Sequence, residues 1–368
     1  MLSEKSIYQI ALTQINGIGI TLARALMNAV GDEEAVFKES ARNLDKIPRI
    51  SRRLISEIHN PEVMRRSEEE LKFVENNKID ILFFTSENYP QRLNNCIDAP
   101  ILIYSKGNTD FNCEKTIGIV GTRRATEYGK QCCEKLIKEL SESIPNLLII
   151  SGLAFGIDIC AHRAALKNNL PTVACLGHGL DRIYPSVHRK TAVDMLDHGA
   201  LITEFPSKTQ PEGFNFVKRN RIVAGMSDAI IVIESATKGG SLITADIANS
   251  YFKEVFAIPG RTTDAHSLGC NKLIANNKAA LFQDTDSFLK QMGWSKKEVI
   301  QHKQQELFLE LTDDEEKVVN ALNGKESVQI NTLAIDLNIP VADLSFTLLE
   351  LEMKNIVKAL PGGLYKLN

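Results

Sequence analysis

The sequence predicts an α/β protein. A parallel β-sheet wound on both faces by helices is preceded by a small helical domain and followed by a winged-helix unit. Three observations predict it. From Ile79 onward, short β-branched runs alternate with amphipathic helical stretches. The runs are apolar throughout rather than alternating, the pattern of strands buried on both faces. From Thr312 the chain reads as three helices and a hairpin, a helix-turn-helix relative.

The chain has 368 residues, more than the ~100–200 typical of one domain. Residues 1–75 read as short helices. Ser6 to Thr13 is apolar at helical spacing. A Gly17-Ile18-Gly19 turn lies within Ile15 to Ala23, and a helix runs on through Leu26. A weaker echo at Leu44 to Ser51 has Pro48 and Arg49 where glycine is expected, and the polar helix Glu68 to Asn77 leads out. Residues 76–292 hold the strand runs Ile79–Phe84, Ile101–Tyr104, Thr116–Val120, Leu147–Ile150, Thr172–Leu176, Ala200–Thr203, Ala229–Ile233 and Val255–Ile258. Helical stretches between them make this a Rossmann-like parallel sheet. Residues 293–311, rich in Lys, Gln and Glu, read as a linker or a lone helix. In 312–368, Asp313–Leu322, Ile330–Asn338 and Val341–Asn355 are expected as helices and Ile356–Leu367 as the hairpin.

The net charge is −3, so bulk charge does not argue for nucleic acid and any such site must be a local basic surface. No apolar run reaches the ~20 residues that span a bilayer. Met1 to Gln9 carries Glu4 and Lys5 and has no signal-peptide pattern. A cytoplasmic protein without membrane contact is expected. The seven cysteines are an odd number without a CxxC or zinc spacing. They read as reduced, packed thiols, and no metal is expected.

Ligands of open α/β sheets bind outside the carboxyl ends of the strands. The third predicted strand exits into Gly121-Thr122-Arg123-Arg124, the fourth into Ser151-Gly152 with Gly156, and the fifth into Gly177-His178-Gly179 with Arg182. Later exits carry Glu204-Phe205-Pro206, Lys238-Gly239-Gly240-Ser241 with Thr244, and Pro259-Gly260-Arg261. Glycines let an anion approach the backbone, and helix N-termini aim N–H groups at it. Several such exits on one rim suit several phosphates better than one cofactor. The dinucleotide fingerprint fails, because Arg123 stands where its second glycine belongs and no acid follows the next strand to hold a ribose. No cofactor is expected.

Phe214 to Arg221 places two aromatics and Lys218, Arg219 and Arg221 within eight residues, with Asn220 between the arginines. Aromatics offer stacking faces to bases and cations hold a phosphate backbone. The alternative leaves one Phe in the core and pairs Arg219 and Arg221 with Glu204 or Glu234. The two readings weigh equally for Arg221, and the DNA reading is preferred for Phe216 and Arg219. Arg123 has a similar alternative, a brace to Glu234. His162, His178 and His188 lack a nucleophile or metal spacing, and His162 is expected to contact Asp158 and fix the loop between them.

Taken together, these blocks resemble the signature of the DprA/Smf family. They are Gly121-Thr122-Arg123, Ser151 to Ala154 with Gly156-Ile157-Asp158 and Ala161-His162, Gly179-Leu180-Asp181 with Tyr184-Pro185, Arg219-Asn220-Arg221, Ser241 to Ala245, and Pro259-Gly260. They occur in the family's order over about residues 80 to 285. The resemblance implies binding and protection of single-stranded DNA, loading of RecA recombinase onto it during natural transformation, and self-association as a homodimer or higher oligomer. It implies that Arg123 holds a phosphate. Gly152, Gly156 and Gly240 with Ser241 would present backbone or hydroxyl groups, and Phe216, Arg219 and Arg221 would line the strand's path.

Two positions depart from the family pattern. Val217 replaces a usual proline, which loosens the loop before Arg219. Gly239 replaces the first serine of a Ser-Gly-Ser run, which removes a hydroxyl. The Ile15–Ala23 segment resembles a helix-hairpin-helix (SAM-like) module, either structural or offering N–H groups to a phosphate. The last predicted helix carries Asp343, Glu350 and Glu352 against Lys354. This charge disfavours a duplex-reading regulator and points to a protein-contact or accessory role.

A competing enzymatic reading is a nucleoside-monophosphate phosphoribohydrolase, whose Gly-Gly-x-Gly-Thr-x-x-Glu loop Gly239 to Thr244 resembles. The acid is missing: Ile247 stands at its position and Asp246 one residue short. Without that carboxylate the hydrolysis lacks its principal group, so no enzyme is expected.

Overall fold

A computed structural model describes residues 5–295 and 311–368. The N-terminal helices are α1 (Ser6–Gln14), α2 (Ile20–Val30), α3 (Glu33–Lys38), α4 (Ala41–Leu44), α5 (Arg52–Ile58) and α6 (Pro61–Asn76). Their starts are written in side chains that accept the first free backbone N–H groups. Asp32, Ser40, Ser51 and Asn60 cap α3 to α6, and Pro61 opens α6. Gly17 turns the chain between α1 and α2 at φ +103°, a conformation that costs glycine little. In the second copy Arg49 takes the corresponding left-handed role at φ +67°.

The central domain continues with β1 (Asp80–Phe83), α7 (Gln91–Asn94), β2 (Leu102–Gly107), β3 (Thr116–Val120), α8 (Glu127–Ser143), β4 (Leu148–Ser151), α9 (Ile157–Lys167) and β5 (Thr172–Cys175). Then follow α10 (Arg189–Asp194), β6 (Gly199–Thr203), α11 (Gly213–Met226), β7 (Ala229–Val232), α12 (Gly240–Ser250), β8 (Glu254–Ala257), α13 (Leu268–Ala275), β9 (Ala280–Leu281) and α14 (Thr285–Gln291). Among the described residues the sheet order is β1-β2-β6-β5-β4-β3-β7-β8-β9. The strands from β6 to β9 are parallel, as the apolar runs predict. The first two depart from that prediction, since β2 pairs antiparallel with β6 and β1 with β2. No helix long enough for a parallel crossover separates β1 from β2, which leaves the antiparallel direction. β9, two residues long, was not predicted.

The doubly apolar strands are explained by their two faces. Ile117, Ile119, Ile149 and Ile231 point to one side, where Cys133, Leu136, Ile137 and Leu140 of α8 and Ala161 and Ala164 of α9 pack on them. Ile150, Val173, Ile230 and Val232 point to the other, against Ile222 of α11 and Ala245 of α12 in a core continuous with the N-terminal helices. α6 is also tied to the sheet by polar contacts: Glu70 accepts from the Ser207 N–H at 2.8 Å and hydroxyl at 2.6 Å, and Arg66 donates to the Ser207 carbonyl at 2.9 Å.

Of the 293–311 linker, residues 296–310 lie outside the described residues; Trp294 meets Phe288 edge to face at 5.8 Å. The last unit is α15 (Asp313–Leu322), β10 (Val328–Gln329), α16 (Ile330–Leu337), α17 (Val341–Met353), β11 (Val357–Leu360) and β12 (Leu364–Leu367). A capping box between Thr312 and Glu315 starts α15. The hairpin β11–β12 gains β10 as a third strand, too short to show in the sequence. Among the described residues no single helix is long and apolar enough to cross a membrane. The seven cysteines are unpaired.

Candidate nucleic-acid interface

The switch point of the sheet lies between β3 and β7, where successive crossovers run in opposite directions. The loop after β3 is held there from both sides. The Thr122 N–H donates to the Glu234 carbonyl at 2.7 Å, and the Glu234 carboxylate accepts from the Thr126 N–H at 2.9 Å and hydroxyl at 2.6 Å. The Thr126 hydroxyl in turn caps α8 through the Gly129 N–H. Glu234 therefore braces the loop through Thr126, not through Arg123.

Arg123 is exposed, and its guanidinium forms no ion pair or hydrogen bond among the described residues. It lies over the Phe216 ring at 5.2 Å, and Phe216 stacks on Tyr184 at 5.8 Å with the planes 22° apart. Two glycines make this arrangement possible. A Cβ at Gly177 would lie 2.7 Å from the Phe216 ring, and one at Gly156 would lie 2.1 Å from the Thr122 carbonyl oxygen. Gly156 has φ +77° and precedes α9, so the N-terminus of α9 abuts the Arg123 loop. Gly121 closes the same turn against Ile157. Across the rim, Asn220 donates to the Gly240 carbonyl at 3.3 Å and joins α11 to the start of α12. Arg124 and Lys238 are exposed and also without an ion pair among the described residues.

Other candidates are placed differently. Phe214 to Arg221 is not a loop but the opening of α11, and Val217 continues that helix where proline would lack the N–H for its ladder. Arg219 is 4% exposed and donates to the Cys175 carbonyl at 2.7 Å. Gly152 exists beside it because a Cβ there would overlap its guanidinium. Arg221 and Lys218 both bind Glu204, at 2.5 and 3.1 Å. Arg182 is held by Asp181 at 2.7 Å and by the Gln210 side chain at 2.6 Å, and Gly179 is packed against the Pro206 carbonyl. The hydroxyls of Ser151, Ser241 and Thr244 turn inward, to the Ile119 carbonyl, the Ser235 hydroxyl and the Gly240 carbonyl. A sequence shows that a residue follows a strand but not which way its side chain turns.

His162 does not contact Asp158 as expected. Its Nε2 accepts from the Leu153 N–H at 3.3 Å, and its Nδ1 lies 2.7 Å from the Thr172 hydroxyl. That hydroxyl donates to the Ile149 carbonyl, so Nδ1 carries the ring proton and the imidazole is neutral. Asp158 instead accepts from the Ala154 N–H. Burial, and then the Arg219 charge, push His162 down to about 3. With a folded value below the unfolded one, stability falls as pH drops below the unfolded pKa, until the folded pKa is reached. His162→Gln is expected to flatten the stability–pH curve between those limits by up to ~1.4 kcal/mol per unit. Urea titrations of both proteins from pH 4 to 7 read this; parallel curves would refute it.

The aromatic rim was only partly foreseen. Tyr184 and Phe155 line it, the latter edge to face with His188 at 5.0 Å. Their signal was local: an aromatic beside the glycines of a strand exit.

The fold and rim define a doubly wound α/β protein with a glycine-rich carboxyl edge on which Arg123, Arg124 and Lys238 form no ion pair among the described residues, and an appended winged helix. The profile of the DNA recombination-mediator protein A family matches residues 80–293, and that of the DprA winged helix domain matches 305–363. The chain belongs to this family. It is 38% identical over 211 residues to the DNA processing protein DprA of Bacillus subtilis, covering 57% of this chain and 70% of the relative. The structure of DNA processing protein A from Streptococcus pneumoniae is similar at TM-score 0.61 and 33% identity, over 77% of this chain and 97% of that one. A Helicobacter pylori DNA processing protein A, described for its single-stranded DNA binding mode, matches at TM-score 0.52 and 30% identity, over 58% of this chain and 94% of that one.

Proposed function

We propose that this protein binds single-stranded DNA along the carboxyl edge of its parallel sheet, protects it, and loads RecA recombinase onto it in recombination and natural transformation. It acts without catalytic turnover, as a homodimer or higher oligomer in the cytoplasm. The carrying observation is Arg123, an unpaired guanidinium stacked on Phe216 above the N-terminus of α9. A cation beside an aromatic face, on a glycine-lined rim that a backbone can approach closely, is what a flexible phosphodiester strand requires. The Helicobacter pylori relative supports the choice of ligand. The enzymatic alternative loses ground, since Asp246 is held by Lys278 at 2.7 Å.

Filter binding of single-stranded and duplex DNA across salt concentrations tests the proposal. The single strand is expected to bind far more tightly and with little base preference. Its log affinity should fall linearly with log salt, by ~0.7 per phosphate contact. Equal affinity for a matched duplex would overturn the reading.

A further inference from the structure

The winged-helix unit has an apolar face that its own core does not use. On α17, Leu344, Leu348 and Leu351 are buried in that core. At about 100° per residue, Phe346, Leu349 and Met353 fall on the opposite side, where they are 64%, 53% and 83% exposed. Exposed Ala342 extends the row to 342, 346, 349 and 353, the alternating spacing of a coiled-coil seam. A helix on a domain surface ordinarily carries polar residues on that side.

The borders of the row are acidic. Asp343 and Glu350 are exposed on one side and Glu352 on the other. Lys354, just past the helix, is held by Glu315 at 2.6 Å, so no free cation offsets them along α17. Phosphate is repelled by such a surface, and a second copy of α17 would set the same acids against each other. We propose that this face docks a basic amphipathic helix of another protein, with apolar side chains seated on Phe346, Leu349 and Met353 and lysines or arginines against Asp343, Glu350 and Glu352. The unbranched Met353 and the flat Phe346 adapt to different apolar anchors.

The test uses the full chain and two synthetic helical peptides. Both carry leucines at seam spacing; one has lysines at the flanking positions and the other glutamates. Fluorescence anisotropy is expected to show saturable binding of the lysine peptide, at least about tenfold tighter than the glutamate peptide. Phe346→Ser with Leu349→Ser should weaken it at least about tenfold while leaving the melting temperature and the single-stranded-DNA isotherm unchanged. Asp343→Lys with Glu350→Lys should reverse the preference between the peptides. Equal affinities, or binding that survives the double serine variant, would overturn the proposal. So would an oligomer in sedimentation that the serine variant dissolves, which would make a second copy the occupant. A serine variant of lowered melting temperature whose parent binds neither peptide would also overturn it, by making the face part of this chain's own packing.

Discussion

Arg123→Ala is expected to weaken single-stranded-DNA binding roughly 10- to 150-fold while leaving the fold intact. The range converts the ~1.5–3 kcal/mol of a charge-assisted hydrogen bond. Its fork can hold two phosphate oxygens at once, and no carboxylate among the described residues forms an ion pair with it. The loop's own stability comes from Thr126 and Glu234, so removing the guanidinium leaves that brace standing. The salt dependence should become shallower by about one unit, as for one lost phosphate contact. A melting temperature measured beside the binding isotherm separates loss of contact from loss of structure. An unchanged isotherm in a folded variant would remove Arg123 from the site.

Arg219→Ala is expected to act in the opposite manner, by destabilising the protein. The guanidinium is buried and satisfies the Cys175 carbonyl at the end of β5. Its charge also opposes the effect of burial on Asp158, whose carboxyl burial pushes up. Without Arg219, Asp158 stays buried with its main counter-charge gone, and the space against Gly152 is emptied. Losing a buried hydrogen bond from a charged group costs about 1.5–3 kcal/mol. Chemical denaturation should show that loss in midpoint, and DNA binding at saturating folded protein should fall much less than in Arg123→Ala. Wild-type stability together with lost binding would reverse the assignment and put Arg219 on the DNA.

These two arginines mark how far the sequence reads. Composition and periodicity alone determine the doubly wound sheet, because strands covered on both faces must be apolar at every position, as Ile117 to Val120 and Ala229 to Val232 are. The same holds for the winged helix and for the placement of glycines at strand exits, since a tight turn beside a helix N-terminus restricts the residue types it accepts. Sequence position also brings Arg123, Gly156, Phe216 and Gly240 to one rim, because parallel strands share one carboxyl end.

Only the tertiary structure decides which groups on that rim remain free. Glu204 comes from β6's exit, and it is the packing of α11 beside it that claims Lys218 and Arg221. Helical periodicity sets Arg219 on the face of α11 that also buries Ile222 and Val223, beneath Gly152, while Arg123 lies on a loop where no carboxylate among the described residues forms an ion pair with it. The antiparallel direction of β1 and β2, the inward hydroxyls of Ser151, Ser241 and Thr244, and the exposed row on α17 have the same origin. Each depends on which partner lies across a long-range contact, and local sequence, which sets backbone preference and polarity, does not encode that partner's position.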